Sequence, residues 1–289
     1  MARSGHLAML FPGQGSQTAD MRDQVERHRP DLLELAFGEV SDDLFERAGD
    51  GTRWAQPAIF CAALAGYDVL RDRYEPALMA GHSLGEISAL VAAGALDAED
   101  GLRLVAGRGR LMQEAAEHTS DGGMLAVRAR DRAPVEQIAA DTGVSIANDN
   151  APDQLVLSGA LAALDEVERL LREQKVRAKR LPVAGAFHSP QMEPAVEPFR
   201  QLAERVEVRE PSVPVLSCVT AAPFQDVREQ LVMAITHPVR WMDVMSALRD
   251  LGATRYVETG PGHVLTNLVR KSLDGVEAEA PLDLEAAGA

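Results

Sequence analysis

The sequence predicts an α/β fold: a mainly parallel, doubly wound sheet interrupted by an inserted βαββαβ subdomain. Three observations carry this. Short apolar runs that stop at Gly or Pro alternate with longer runs of helical spacing. The pattern changes over residues 123–185 into two strand-and-helix units joined by a tight turn, the order of a split βαβ or ferredoxin-like unit. Finally, 289 residues at 46% apolar and 25% charged content can bury one large core and still carry an insert.

The elements follow in order. HLAMLF (6–11) is a short buried strand that ends at Pro12-Gly13. QPAIFCAALAGYDVLRDR (56–73) has apolar positions at helical spacing, ALMAG (77–81) is a strand, and GEISALVAAGAL (85–96) is a helix. A second helix spans 98–118, although Gly107 and Gly109 inside it cost about 1 kcal/mol each relative to alanine. In the insert, 123–129, 144–148, 154–160 and 176–183 read as strands and 133–142 and 163–175 as helices, with DNAPD as the turn between the middle strands. Strands at 212–220 and 255–260 and helices at 227–236 and 241–252 resume the α/β pattern. The large domain is therefore discontinuous, 1–122 and 186–273, around an insert at 123–185. The acidic tail 274–289 has little periodicity and is expected to be mostly disordered.

Composition excludes several classes. A net charge of −15 argues against nucleic acid and against anionic membranes as partners. Two cysteines, Cys61 and Cys218, stand far apart with no metal spacing, which predicts no metal site and fits a reducing compartment. The apolar run before Pro12 is too short for a signal peptide, and no stretch approaches a membrane span, so a cytoplasmic location is expected.

The chemistry starts at Gly81-His82-Ser83-Leu84-Gly85, a G-x-S-x-G turn between a strand and a helix. Such a turn holds its serine in a strained conformation, and side chains on either flank would collide. The serine hydroxyl then stands at the sheet edge, where the next helix points free N–H groups, that of Leu84 first among them. Ser83 is the candidate nucleophile and needs a base. His82 is adjacent and points elsewhere. His188, where the chain returns from the insert in GAFHS, is the candidate on position, a packed structural histidine being the other reading. No acid stands in an obvious strand-end loop to complete a triad, so the third member need not be a carboxylate. FPGQGSQ (11–17) lacks the lysine and spacing of a phosphate loop and suits a second oxyanion donor better. Arg108 and Arg110 form either a solvated face or an arginine aimed inward at a carboxylate.

Together, LFPGQGSQ, GHSLGE, RGRLMQ, NDNAPDQLVLSG, GAFHS, HPVRW and ETGPGHVLTNL resemble, in order and across nearly the whole chain, the malonyl-CoA:acyl carrier protein transacylases. These include the fatty-acid enzyme and the discrete, trans-acting acyltransferases of polyketide biosynthesis. The resemblance implies an α/β-hydrolase-like domain carrying the ferredoxin-like insert. It implies Ser83 as nucleophile, His188 as base, and the backbone N–H groups of Gln14 and Leu84 as the oxyanion hole. A backbone carbonyl near Ala234 would orient the histidine, and Arg108 would grip the free carboxylate of a malonyl group. Phe187 matches the malonyl-type pattern, and Gln56 and Asn148 are further pocket candidates.

The implied reaction is ping-pong transfer from malonyl-CoA, through a malonyl-serine ester, to the phosphopantetheine thiol of an acyl carrier protein, with no bound cofactor and a monomeric enzyme. The alternatives are a transferase for another extender such as methylmalonyl, and an editing thioesterase of the same fold; relatives of the latter kind tend to lack the arginine. Carrier proteins are acidic, so the basic run VRAKR (176–180), with Arg270-Lys271 second, is the expected docking patch.

Overall fold

The computed structural model describes residues 6–183 and 185–282. From the N-terminus, β1 (His6–Phe11) leads to α1 (Met21–His28), α2 (Pro30–Glu39) and α3 (Thr52–Leu70). Next, β2 (Leu78–Gly81) turns into α4 (Gly85–Ala92) and α5 (Ala98–Thr119). The middle contains β3 (Gly122–Arg128), α6 (Ala133–Thr142), β4 (Ser145–Ala151), β5 (Gln154–Ala160), α7 (Leu161–Glu173) and β6 (Arg177–Arg180). The chain closes with α8 (Glu193–Ala203), β7 (Val215–Leu216), α9 (Val227–Met233), α10 (Trp241–Asp250), β8 (Ala253–Glu258), α11 (Val264–Ser272) and β9 (Glu277–Glu279).

The main sheet has the order β7-β2-β1-β8-β9, and every pairing in it is parallel. The strand at its centre explains its own sequence. Leu7, Met9 and Phe11 pack into the core on one face, with α1 to α5, while Ala8 and Leu10 pack on the other, with Trp241 and Leu265. A strand covered on both faces has no polar side to show, hence the unbroken apolar run. The second sheet is antiparallel with the order β4-β5-β3-β6. In chain order within the insert this is 2-3-1-4, the arrangement a split βαβ unit produces. Leu125, Val127, Leu155 and Leu157 point from it toward α6 and α7, forming a separate small core.

Several expectations need correction. The strand over 212–220 is reduced to Val215–Leu216, because the chain turns back at once: Ala221 N–H donates to Ser217 O and Ser217 N–H to Ala222 O. The tail is not without structure, since Glu277–Glu279 pair with Arg255–Val257 of β8; residues 283–289 lie outside the described residues. The helix expected from residue 56 begins at Thr52 and takes Pro57 inside it. The segments that become α1, α2, α8 and α11 carry no element in the sequence reading.

The two glycines of α5 have a packing reason. A Cβ on Gly109 would lie 2.7 Å from Thr52 O, and one on Gly107 would lie 2.4 Å from Leu202 Cδ1. Their absence lets α5 lie against α3 on one side and α8 on the other. The helix-propensity cost is offset by that close approach, which sets the position of Arg108 between them.

Candidate active site

Ser83 stands between the last residue pair of β2 and the first turn of α4, at φ 55°. That left-handed conformation is unusual for a serine and costs about 1–3 kcal/mol. The surrounding backbone imposes it. His82 N–H donates to Phe11 O at 2.9 Å, Gly85 N–H to His82 O at 3.1 Å, and Glu86 N–H to Ser83 O at 3.0 Å. A Cβ at Gly81 would sit 1.9 Å from Gly85 C, and one at Gly85 would sit 2.2 Å from Phe11 O. Both flanking glycines are thus required by backbone against backbone.

His188 Nε2 lies 2.9 Å from Ser83 Oγ. Its Nδ1 lies 2.9 Å from Ala234 O and 3.2 Å from His237 O. Both partners of Nδ1 are carbonyls, which only accept, so Nδ1 carries the proton and Nε2 presents a lone pair to the serine hydroxyl. Ala234 is the C-cap of α9, and the last carbonyls of a helix lack partners within it. His188 is itself held at φ 56°. Burial, aided by the charges of Arg108 and His82, pushes its pKa down to about 3. The imidazole is therefore neutral and available as a base at ordinary pH.

Arg108 is 3% exposed and reaches the same point from α5. Its Nη1 donates to Gln56 Oε1 at 2.8 Å and its Nη2 to Ser83 Oγ at 3.1 Å. Gln56 is fixed in turn by donating from Nε2 to Thr52 Oγ1 at 2.8 Å. Burial lowers the arginine pKa to about 10, against the opposing charge of Glu86, and the group stays a cation. Glu86 lies fully buried in the first turn of α4 and accepts from Cys218 N–H at 2.6 Å. Burial lifts its pKa to about 7, with the Cys218 N–H and the Arg108 charge pulling it down. Its Oε2 has no hydrogen-bond partner among the described residues.

These groups open on a cavity of about 260 Å³ between the two sheets. Ser83, His188, Arg108, Gln56, Gln14, Leu84, Phe187 and Asn148 all line it. Ala234 does not line it and acts from behind the histidine. The N–H groups of Gln14 and Leu84 donate to no acceptor among the described residues. Met112, Met124, Val156 and Leu181 supply apolar wall. His82 turns its Nε2 to Asn150 Oδ1 at 2.8 Å and packs at a tilt of 57° to the Trp241 ring rather than meeting the Ser83 hydroxyl.

Sequence reasoning missed Glu86 and Asn150. Each had a local signal: Glu86 stands three residues after Ser83, in the first helical turn, and Asn150 alternates with Asn148 along one strand. No group of acidic, histidine or cysteine side chains among the described residues could hold a metal ion. No described helix is long and apolar enough to cross a membrane.

A serine hydroxyl facing a neutral imidazole, two N–H groups without acceptors and an inward-facing arginine form a set capable of acyl-transfer chemistry. Residues 8–282 match the acyl transferase domain family. The chain is 37% identical to the malonyl CoA-acyl carrier protein transacylase of Synechocystis sp. over 290 residues, 92% of this chain and 93% of that protein. It is 41% identical over 282 residues to the polyketide biosynthesis protein ThaF of Burkholderia thailandensis, covering 92% of this chain but spanning only 24% of that protein's length. The crystal structure of the malonyl-CoA:acyl carrier protein transacylase from Xanthomonas oryzae superposes with a TM-score of 0.89 at 35% identity, over 98% of both chains.

Proposed function

The chain belongs to the acyl transferase family, and from that premise we propose that it moves a malonyl group from malonyl-CoA to the phosphopantetheine thiol of an acyl carrier protein. The observation that carries the reading is the Arg108 guanidinium held 3.1 Å from the nucleophile's oxygen in a buried pocket. A simple acyl group would leave that cation desolvated with no anion to meet, while a malonyl carboxylate matches its planar fork with two parallel hydrogen bonds. The same argument sets aside the editing thioesterase. Phe187, 9% exposed at the pocket wall beside His188, leaves a methylmalonyl branch less room and favours malonyl.

The transfer proceeds in two halves. Ser83 Oγ attacks the thioester carbonyl and gives its proton to His188 Nε2. The charge that forms, the imidazolium, faces the Ala234 and His237 carbonyls through Nδ1–H. The oxyanion is met by the Gln14 and Leu84 N–H groups, each such donor being worth about 10²–10³ in rate. Collapse breaks the C–S bond, His188 returns the proton to the departing CoA sulfur, and a malonyl-serine ester remains. The carrier thiol then gives its proton to His188 and attacks the ester; collapse releases Ser83, which takes the proton back.

The test is intact-protein mass after mixing with malonyl-CoA and no carrier, for wild type and Ser83→Ala. A malonyl-sized adduct on wild type only, discharged by added carrier protein, is expected. Hydrolysis of the thioester with no adduct would remove the transferase reading and bring the thioesterase forward.

A further inference from the structure

The inserted sheet carries a cationic groove that adjoins the cavity containing Ser83. Register defines it. On β3, Met124, Ala126 and Arg128 share one face; Lys179 of β6 stands opposite Ala126, and Arg177 opposite Arg128. Along this one face, side chains run from the apolar cavity wall at Met124 to Lys179 two positions farther on and to Arg128 and Arg177 at four. The groove holds about 650 Å³, and Ala126 and Gln154 line both it and the cavity containing Ser83. Arg172, at the end of α7, adds a fourth cation to its wall; the carboxylate that lines it, Glu168, is engaged by Arg180.

Many of the arginines elsewhere on the surface are paired with carboxylates: Arg103 with Glu99 and Asp100, Arg169 with Glu166 and Glu173, Arg209 with Asp97 and Glu207. Even Arg180, the next residue of the same strand but turned to the helical face, is held by Asp165 and Glu168. The side chains of Arg128, Arg172, Arg177 and Lys179 form no ion pair or hydrogen bond among the described residues. Arg128 and Arg177 are moreover a direct cross-strand pair of like charge, an arrangement that destabilises a sheet. A chain with 44 acidic residues against 29 basic ones leaves that repulsion unneutralised beside its active-site mouth.

From this we infer that the groove binds the phosphate-bearing nucleotide end of the CoA thioester, with Arg128, Arg177 and Lys179 meeting its phosphates. The inference rests on the acyl-CoA reading above and names a subsite for it. A donor whose carbonyl sits at Ser83 must lead the rest of its length out through the mouth. Two concavities adjoin the cavity there: this groove, and a second one past Gln14 and Phe187 whose charged lining residues are Asp50 and Glu117, so only the groove offers cations to a polyanion. Cross-strand neighbours stand about 5 Å apart at their Cα atoms, so the cations converge on one small polyanion. An acidic protein face needs a far broader and flatter contact, about 800 Å² on each partner. Gln154 links the two spaces, its Oε1 accepting from Lys271 Nζ at 3.4 Å.

The experiment compares wild type with Arg128→Gln/Arg177→Gln, which removes the like-charge pair and is not expected to lower the melting temperature. Acylation of Ser83 is followed by intact mass without carrier. With malonyl-CoA the double variant should need about tenfold more donor for half-maximal rate, the effect of losing exposed charge-assisted contacts. With malonyl-pantetheine, which lacks the nucleotide and its phosphates, the two proteins should behave alike. Calorimetric titration of wild type with adenosine 3′,5′-bisphosphate should show binding that weakens with salt and is lost in the variant, with adenosine inert.

An unchanged requirement for malonyl-CoA, or no bisphosphate binding by wild type, overturns the inference. A raised requirement for carrier protein alone assigns the cations to the carrier and overturns it equally. If no malonyl thioester acylates wild type while the bisphosphate still binds, the transferase reading fails and the nucleotide site stands.

Discussion

Replacing Arg108 by methionine separates the grip on the substrate carboxylate from everything else the residue does. In wild type the guanidinium has two polar partners, Gln56 Oε1 at 2.8 Å and Ser83 Oγ at 3.1 Å. A malonyl carboxylate would bring two charge-assisted hydrogen bonds, each worth about 1.5–3 kcal/mol. Their loss comes to roughly 3–6 kcal/mol, or about 10²–10⁴ in kcat/KM for malonyl-CoA. The contact with Ser83 Oγ is lost for every donor alike, so it cancels when two donors are compared. Acetyl-CoA makes no use of the grip, and the variant spares it a desolvated cation left without an anion. The ratio of malonyl to acetyl acylation rates, read by quenched intact-mass kinetics, should therefore fall by at least about 10². If both rates fall by the same factor, Arg108 serves the nucleophile or the fold and the carboxylate grip is wrong. A melting curve checks the fold. Without Arg108 the Glu86 pKa, already about 7, should rise further. A carboxylate whose folded pKa is raised loses stability as pH rises from its unfolded value of 4.5 through its folded one, so the variant should lose most above neutrality.

Three further outcomes follow from the same geometry. With His188 at about 3, the acylation rate should show no inflection near the ordinary imidazole value of 6.5, and His188→Ala should lower it by about 10²–10⁴. In stability the sign is opposite to that of a paired histidine: the folded pKa lies below the unfolded one, so the contribution is full above 6.5 and is lost as pH falls toward about 3, readable as a falling melting temperature that His188→Ala flattens. Gly81→Ala would put a methyl group 1.9 Å from Gly85 C, where only backbone can give way. The variant should be insoluble or should acylate at least about 10²-fold more slowly, the loss typical of a misplaced reacting group, and a soluble variant with the wild-type rate would refute the steric account of the elbow.

Much of this protein was legible because its determinants are local. Steric exclusion around a tight turn acts over four or five residues, so GHSLG could be read as an elbow wherever it stood. The unbroken apolar run of β1 announced a strand covered on both faces, and the change of rhythm after residue 122 announced the insert. The motifs also named the residues that meet in the cavity: Ser83, His188, Arg108 and Gln14 come from four separate segments and line one space.

Tertiary structure alone decided how they meet. Which carbonyl faces His188 Nδ1 depends on where α9 ends, 46 residues along the chain. Whether Arg108 points inward or to water depends on Gly109 letting α5 approach Thr52, a contact that helical periodicity does not encode. The short β7 and the added β9 depend on where the sheet's edges find partners. The basic run at 176–180 shows the division most clearly. Its composition marks a cationic patch, but the register of β6 against β3 sends Arg177 and Lys179 to the groove and Arg180 to the carboxylates of α7. Side-chain direction in a strand flips with each residue, and the register that sets it is chosen by long-range packing of the sheet.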